Sequence, residues 1–274
     1  MTMNSTPKIF DTHAHYDDEA FDPDREAVIA SLREHGIGAV VNVGANRAGT
    51  EHSLELAQKY DFFYGAAGVH PSDTMEFENG TVSISWLREI ASQPKMLAIG
   101  EIGLDYYWDM PDRAIQKKWF LEQLALAKEL DKPVIIHSRD AAKDTLDLIR
   151  EAGGADMSMV IHCFSYEVEM AREYLKMGHF FGIGGVSTYK NARKLKEVIR
   201  FLPLEQILLE TDCPYLSPTP HRGKRNSSLN LEYVIHAVAE LKEISEEEVI
   251  AVTWANAHRF YRLPEPESSL TENI

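Results

Sequence analysis

The segment Asp11-Thr12-His13-Ala14-His15 sets two imidazoles two residues apart, just behind the apolar pair Ile9-Phe10. In an extended strand, residues two apart face the same way. His13 and His15 can therefore converge on one point, and convergent neutral imidazoles are metal-ligand chemistry. Glu101, His137, His162 and Asp212 each end a later apolar run. Four imidazoles and two carboxylates exceed what one tetrahedral zinc needs. They suit two divalent ions sharing a carboxylate, with Glu101 as the candidate bridge. Such a centre lowers the pKa of a bound water and makes a nucleophile at neutral pH. Asp212 can take up or orient that proton, and the ions can stabilise charge on a phosphoryl or carbonyl oxygen. Glu101 and Asp212 are thus candidate catalytic residues as well as ligands. The donor set suits zinc, manganese, cobalt or iron better than magnesium.

The elements that position these residues follow a repeating pattern. Strands are expected over 8–11 (continuing into His13 and His15), 38–44, 62–69, 96–99, 133–136, 157–161, 179–183 and 207–209. Helices are expected between them, from Pro23-Asp24 to near Gly36, then over 50–60, 82–92, 112–130, 141–151, 166–177 and 191–201. Two more follow, over 231–242 and 246–261, the second opened by Ser245 and Glu248 at capping-box spacing. Short buried strands alternating with helices imply parallel βαβ units. Eight such units predict an α/β fold of the (β/α)8 barrel class, in which the C-terminal strand ends share one face. That face would gather all six residues into a metal centre. An open doubly wound sheet is the structural alternative, but a nucleotide-binding version needs a glycine-rich loop after an early strand. Here the first strand delivers His13 and His15 instead. The expected organisation is a tail over 1–7, one barrel domain over 8–263 and a polar tail over 264–274.

Composition agrees with a globular protein: of 274 residues, 44% are hydrophobic and 26% charged, enough for a large core. No apolar run reaches membrane-spanning length. The first residues lack a basic start and an apolar stretch, so no signal peptide is read and the expected location is the cytoplasm. Cys163 and Cys213 are the only cysteines, which argues against a disulfide framework. Each follows a proposed ligand, and strand alternation predicts that both turn outward into the core. Lys and Arg total 28 against 43 Asp and Glu, a net charge of −15. That excludes a broad basic footprint for nucleic acid. It leaves room for an anionic substrate at one cleft, because two divalent ions outweigh the two carboxylates there.

Ordered pieces of the chain resemble the TatD family of metal-dependent hydrolases, within the amidohydrolase-like barrels. They are DTHAH (11–15), GVHP (68–71), GEIGLDY (100–106), PVIIHSRDA (133–141), VIHCFS (160–165), GIGG (182–185), ETDCPYLSP (210–218) and RGKRN (222–226). The resemblance implies metal ligation by His13, His15, Glu101, His137, His162 and Asp212. It also implies deoxyribonuclease activity, in some members 3′-to-5′ exonucleolytic, commonly described as magnesium-dependent. The implied cofactor is two divalent ions (magnesium, manganese or zinc), and the implied partner is DNA or a nucleotide-like substrate. No membrane and no obligatory protein partner are inferred. Two positions depart from the family pattern: Ser227-Ser228 follows RGKRN, and Ser72 follows GVHP.

Around this centre, Arg222, Lys224 and Arg225 form the one compact basic cluster and are candidate phosphate grips, as is Arg139 two residues beyond His137. The alternative for the cluster is a solvated loop. His70 either contacts substrate or bonds a neighbour. Glu210 either supports the site or sits in a buried salt link. Tyr106-Tyr107-Trp108 either stacks a base or packs as a lid. The leading expectation is a phosphodiesterase acting on DNA. The same centre can polarise a carbonyl, so an amide- or ester-bond hydrolase is the alternative. A third possibility, a scaffold whose metal serves only stability, fits poorly, because structural sites are closed and need fewer ligands.

Overall fold

All eight expected apolar runs form strands. The computed structural model describes residues 9–108 and 110–264. Its strands are β1 (Ile9–Ala14), β2 (Ile37–Val43), β3 (Phe63–Ala67), β4 (Met96–Asp105), β5 (Val134–Arg139), β6 (Met159–Ile161), β7 (Phe180–Ile183) and β8 (Ile207–Leu209). They pair in sequence order, each parallel to the next. The helices are α1 (Arg25–Leu32), α2 (Arg47–Lys59), α3 (Met75–Glu78), α4 (Ile84–Ala91), α5 (Arg113–Glu129), α6 (Ala142–Glu151), α7 (Val168–Lys176), α8 (Arg193–Phe201), α9 (Leu231–Lys242) and α10 (Glu246–Tyr261). The short α3 is the helix that sequence pattern did not anticipate. The tail over 1–7, and all but the first residue of the tail over 264–274, lie outside the described residues.

The barrel closes where β1 meets the chain leaving β8. Asp212 N donates to His13 O at 2.9 Å, and His15 N donates to Cys213 O at 2.8 Å. Thr12 Oγ1 adds a bond to Leu209 O at 2.9 Å. These bonds extend the parallel pairing three and four residues past the end of β8, so closure itself sets His13, His15 and Asp212 side by side. Behind them Asp11 is buried and accepts from Thr211 Oγ1 and Ser228 Oγ, each at 2.6 Å. Ser228, one of the departures from the family pattern, is thus part of the closure.

The barrel interior is filled by Phe10, Val41, Ala66, Ala98, Ile135, Val160 and Leu208. Its N-terminal end is plugged by α10 through Phe260 and Tyr261. Tyr261 stacks on Phe10 and donates from its hydroxyl to Thr12 O at 2.8 Å. The plug leaves the other end, where the strands finish, as the open face. A second apolar layer between strands and helices includes Ile99, Ile136, Ile161, Phe120, Ile149 and Val234. Strands covered on both faces explain why each run is apolar throughout rather than alternating. Helix starts carry caps: Asn46 accepts from Gly49 N, Asp112 from Ala114 N and Ser245 from Glu248 N. No helix among the described residues is long and apolar enough to cross a membrane.

One strand is longer than expected. β4 does not stop at residue 99 but runs on to Asp105. Glycine permits close packing there: a Cβ on Gly103 would lie 1.9 Å from His137 O on β5. The extension carries Glu101 and Asp105 to the open face on one rigid element.

Candidate metal centre

The six residues singled out by type and spacing meet at the open face. β1 has an irregularity between Asp11 and Ala14, and across it the inward face passes from Phe10 to His13 and His15. Their Nε2 atoms lie 3.1 Å apart. His15 Nδ1 is 2.9 Å from Val43 O at the end of β2. A carbonyl only accepts, so Nδ1 carries a proton, and loss of the Nε2 proton would turn that lone pair to the centre. Asp212 Oδ1 is 3.3 Å from His15 Nε2 and 3.7 Å from His13 Nε2.

Glu101 stands between two groups of rings. Its Oε2 is 3.5 Å from His13 Nε2 and 3.9 Å from His15 Nε2. Its Oε1 is 2.6 Å from His137 Nδ1 and 3.0 Å from His162 Nε2. Three sets of donor atoms fall within ion-binding reach: His13, His15 and Asp212; His13, Glu101 and His162; and His70, Glu101 and His137. The donor set fits divalent cations, since buried imidazole nitrogens crowd against one another around two carboxylates. His13 Nδ1 and His162 Nδ1 are buried without a hydrogen-bond partner.

The electrostatics show the same competition. Burial disfavours charge on every group here, yet Asp212 holds the His15 pKa up at about 9. Burial likewise works against charged His162 and His137, but Glu101 raises both, helped by Glu210 at His162 and Asp105 at His137. Glu101 moves the other way: its burial is overcome by His162 and His137, and its pKa falls well below the usual range. Asp212 is also lowered against burial, chiefly by its bond to His15. Protons on these rings balance the carboxylates where a cation would.

Two supporting carboxylates complete the arrangement. Glu210 is 1% exposed, accepts from Cys163 N at 2.6 Å and stands 3.5 Å from His162 Nδ1. A Cβ on Gly182 would lie 2.1 Å from Glu210 Oε2, so β7 makes room for that carboxylate with a glycine. Asp105 was not among the expected site residues. Its Oδ2 is 3.1 Å from His137 Nε2, and Gln116 clamps its backbone N–H and carbonyl. The signal lay in the period of two: Glu101, Gly103 and Asp105 share one face of β4.

His70 also faces the centre, with Nε2 3.9 Å from Glu101 Oε1. Its Nδ1 accepts from Ser72 N at 3.1 Å. Burial, then neighbouring His137, depress its pKa to about 3, so the ring is neutral and Nε2 keeps the proton. A protonated Nε2 is a hydrogen-bond donor and not a ligand atom.

His15, Glu101, His137, His162 and Asp212 line a cavity of about 650 Å³ that also includes Arg139, Trp108 and Tyr215. An adjoining space of about 250 Å³ is lined by His137, Arg139, His162, Cys163 and Asp212 among others. The expectation for Cys163 therefore needs correction. β6 ends at Ile161 and Cys163 has a φ of 45°, so strand alternation no longer governs it and it borders the site. Burial pushes its thiol up to about 12. Cys213 is fully buried in the core, as expected. The basic cluster after β8 is also placed differently from Arg139. Arg225 makes a two-pronged pair with Asp24, 2.7 Å at each prong, and Arg222 covers the Tyr189 ring at 4.4 Å. Neither they nor Lys224 line either cavity.

Comparison with known proteins agrees with this architecture. Residues 10–262 match the family described as TatD related DNase. The chain is 42% identical over 255 residues to the uncharacterized metal-dependent hydrolase YabD of Bacillus subtilis, covering 93% of this chain and 99% of that protein. It is 34% identical over 258 residues to the uncharacterized metal-dependent hydrolase YcfH of Escherichia coli K12, covering 93% and 96%. The crystal structure of YjjV, a TatD homologue from Escherichia coli K12, superposes with a TM-score of 0.88 at 30% identity, over 95% of this chain and all of that one. The chain belongs to the TatD family of metal-dependent hydrolases.

Proposed function

We propose that the barrel domain, residues 8–263, is a two-ion phosphodiesterase that acts on DNA or a nucleotide-like substrate and trims single-stranded DNA from its 3′ end. The observation that carries this reading is the division of Glu101, one oxygen towards His13 and His15 and the other towards His137 and His162. A carboxylate so placed would serve both of two bound ions. His13, His15 and Asp212 would hold one ion, and His137 and His162 the other. Ions bound there would supply Lewis acidity and a water of lowered pKa, whether magnesium, manganese or zinc.

The remaining work falls to side chains of the chain itself. Asp212, ionised at neutral pH, accepts a proton from the attacking water. His70 donates from Nε2 to a substrate oxygen. Arg139, exposed and without a carboxylate partner among the described residues, meets a phosphate. Arg222 and Lys224 fit a more distant stretch of a longer strand, while Arg225 is held by Asp24. The test is His137→Ala: loss of one bound ion together with nuclease activity supports the reading, and unchanged nuclease activity ends it.

One observation favours the amide- or ester-hydrolase alternative. Asp17, Asp18 and Asp73 line the same cavity as Arg139, so part of its wall is acidic and suits an uncharged substrate. Turnover of ester or amide substrates with none of nucleic acid would decide for it.

A further inference from the structure

Exposed large apolar side chains are few among the described residues, and they are not scattered. Of Met75, Tyr107, Trp108, Met110, Tyr215 and Leu216, all but Met75 lie on the two chain segments that leave β4 and β8. In an eight-stranded barrel in sequence order, those segments stand on opposite sides of the mouth. Trp108, Tyr215 and Leu216 line the cavity of the metal-type residues. Trp108 is 64% exposed. An aromatic left in water at the lip of a polar cleft indicates a ligand with an apolar face.

The segment after β4 is tied to the centre by one carboxylate. Asp105 Oδ2 meets His137 Nε2 at 3.1 Å, while Asp105 Oδ1 accepts from Tyr107 N at 2.9 Å and Trp108 N at 3.3 Å. Tyr107 uses its ring face on Arg139, whose guanidinium carbon lies 3.8 Å from the ring centroid. Trp108 meets Tyr107 edge-on, with centroids 5.0 Å apart and planes at 89°. Tyr107 therefore holds Arg139 in place; the same guanidinium carbon lies 6.0 Å from the Trp108 ring centroid, and the indole remains largely exposed beside it.

We infer that Trp108, with Arg139 held on Tyr107, is a stacking seat for one unpaired nucleobase next to the bond that is cut. The inference rests on the phosphodiesterase reading and narrows it. A paired base has both faces covered within its duplex, so the seat accepts a frayed end or a single strand. Arg139 takes the phosphate of the seated nucleotide, and the indole takes its base. Stacking is indifferent to base identity, so the seat selects strandedness rather than sequence.

The test uses the full-length metal-loaded protein, its Trp108→Ala and Trp108→Phe variants, and a short oligothymidylate, intact or with a single abasic residue placed at successive positions. The expected result is a fall in kcat/KM of about 5- to 150-fold for Trp108→Ala, carried by KM and largely restored in Trp108→Phe. One abasic position should reproduce that loss in the wild type and add nothing further in Trp108→Ala. Losses that multiply, or a Trp108→Ala enzyme equal to wild type, overturn the seat. Binding separates this from failure of the parent reading. If no variant cuts any oligonucleotide, the phosphodiesterase reading falls. The seat then stands on oligothymidylate quenching wild-type tryptophan fluorescence but not that of Trp108→Phe, and quenching equal in both, or absent from both, overturns it.

Discussion

Glu210→Gln isolates what a carboxylate behind a proposed ligand contributes. Glu210 Oε1 lies 3.5 Å from His162 Nδ1 and is buried. A full charge pair at that distance, with an effective dielectric constant of 20, interacts by about 5 kcal/mol. That is a ceiling, because a ring bound to an ion carries only part of a positive charge. Removal of carboxylates that orient ligand histidines costs about 10- to 100-fold in metal affinity, or about 1.4 to 2.7 kcal/mol. The amide oxygen of Gln can still accept from Cys163 N, so the backbone contact survives. The expected result is a 10- to 100-fold weaker affinity at the position that uses His162, with the His13–His15–Asp212 position within about threefold of wild type. Competitive chelator titration with zinc, fitted to two sites, reads both. Gly182→Ala should act in the same direction, since its Cβ would displace the same carboxylate. Equal losses at both positions, or none at either, would refute the assignment of Glu210 to His162.

Metal affinity should rise with pH between 7 and 9, because His15, with its pKa at about 9, and His137 and His162, both raised, must lose protons when a cation binds. Calorimetry at pH 7 in two buffers of different ionisation enthalpy should show net proton release, and a flat profile without release would contradict it. His179 is buried with neither ring nitrogen partnered, and burial depresses its pKa to about 4. The unfolded chain takes up that proton first, so stability is lost as pH falls from about 6.5 towards 4, by up to ~3 kcal/mol. His179→Phe should gain on wild type across that window in urea denaturation, and a pH-independent difference would show that His179 is not the group. Arg139→Ala should raise KM for single-stranded DNA about tenfold or more. Arg225→Ala, which loses a pair with Asp24 outside the cavities, should stay within about twofold. The reverse order would place the phosphate path at Arg225.

Much of the centre was legible because the barrel turns a one-dimensional pattern into a place. A strand-end residue needs no further information to reach the open face, which is why the runs alone place His137 after Val134-Ile135-Ile136 and His162 after Met159-Val160-Ile161 there. Glu101 was found although its strand was expected to end two residues earlier. Gly100 and Gly103 lower strand propensity, and only the neighbouring backbone shows that a side chain at 103 would collide with His137 O. Asp105 was missed for the same reason. The fate of the basic cluster was not legible, since the acceptor that claims Arg225 is Asp24, far away in sequence, and no local pattern pairs them. Cys163 misled because alternation holds only while the strand lasts.

The central claim is that two ions held by these residues hydrolyse a phosphodiester. It is tested most directly by adding zinc, manganese or magnesium back to the metal-free protein in measured equivalents. Bound metal by elemental analysis is followed beside the release of nucleotides from 3′-labelled and 5′-labelled single-stranded DNA. The account predicts two ions per chain and 3′-end trimming that appears with the second equivalent. Saturation at one ion, or two bound ions with no cleavage of DNA under any of the three metals, would contradict it.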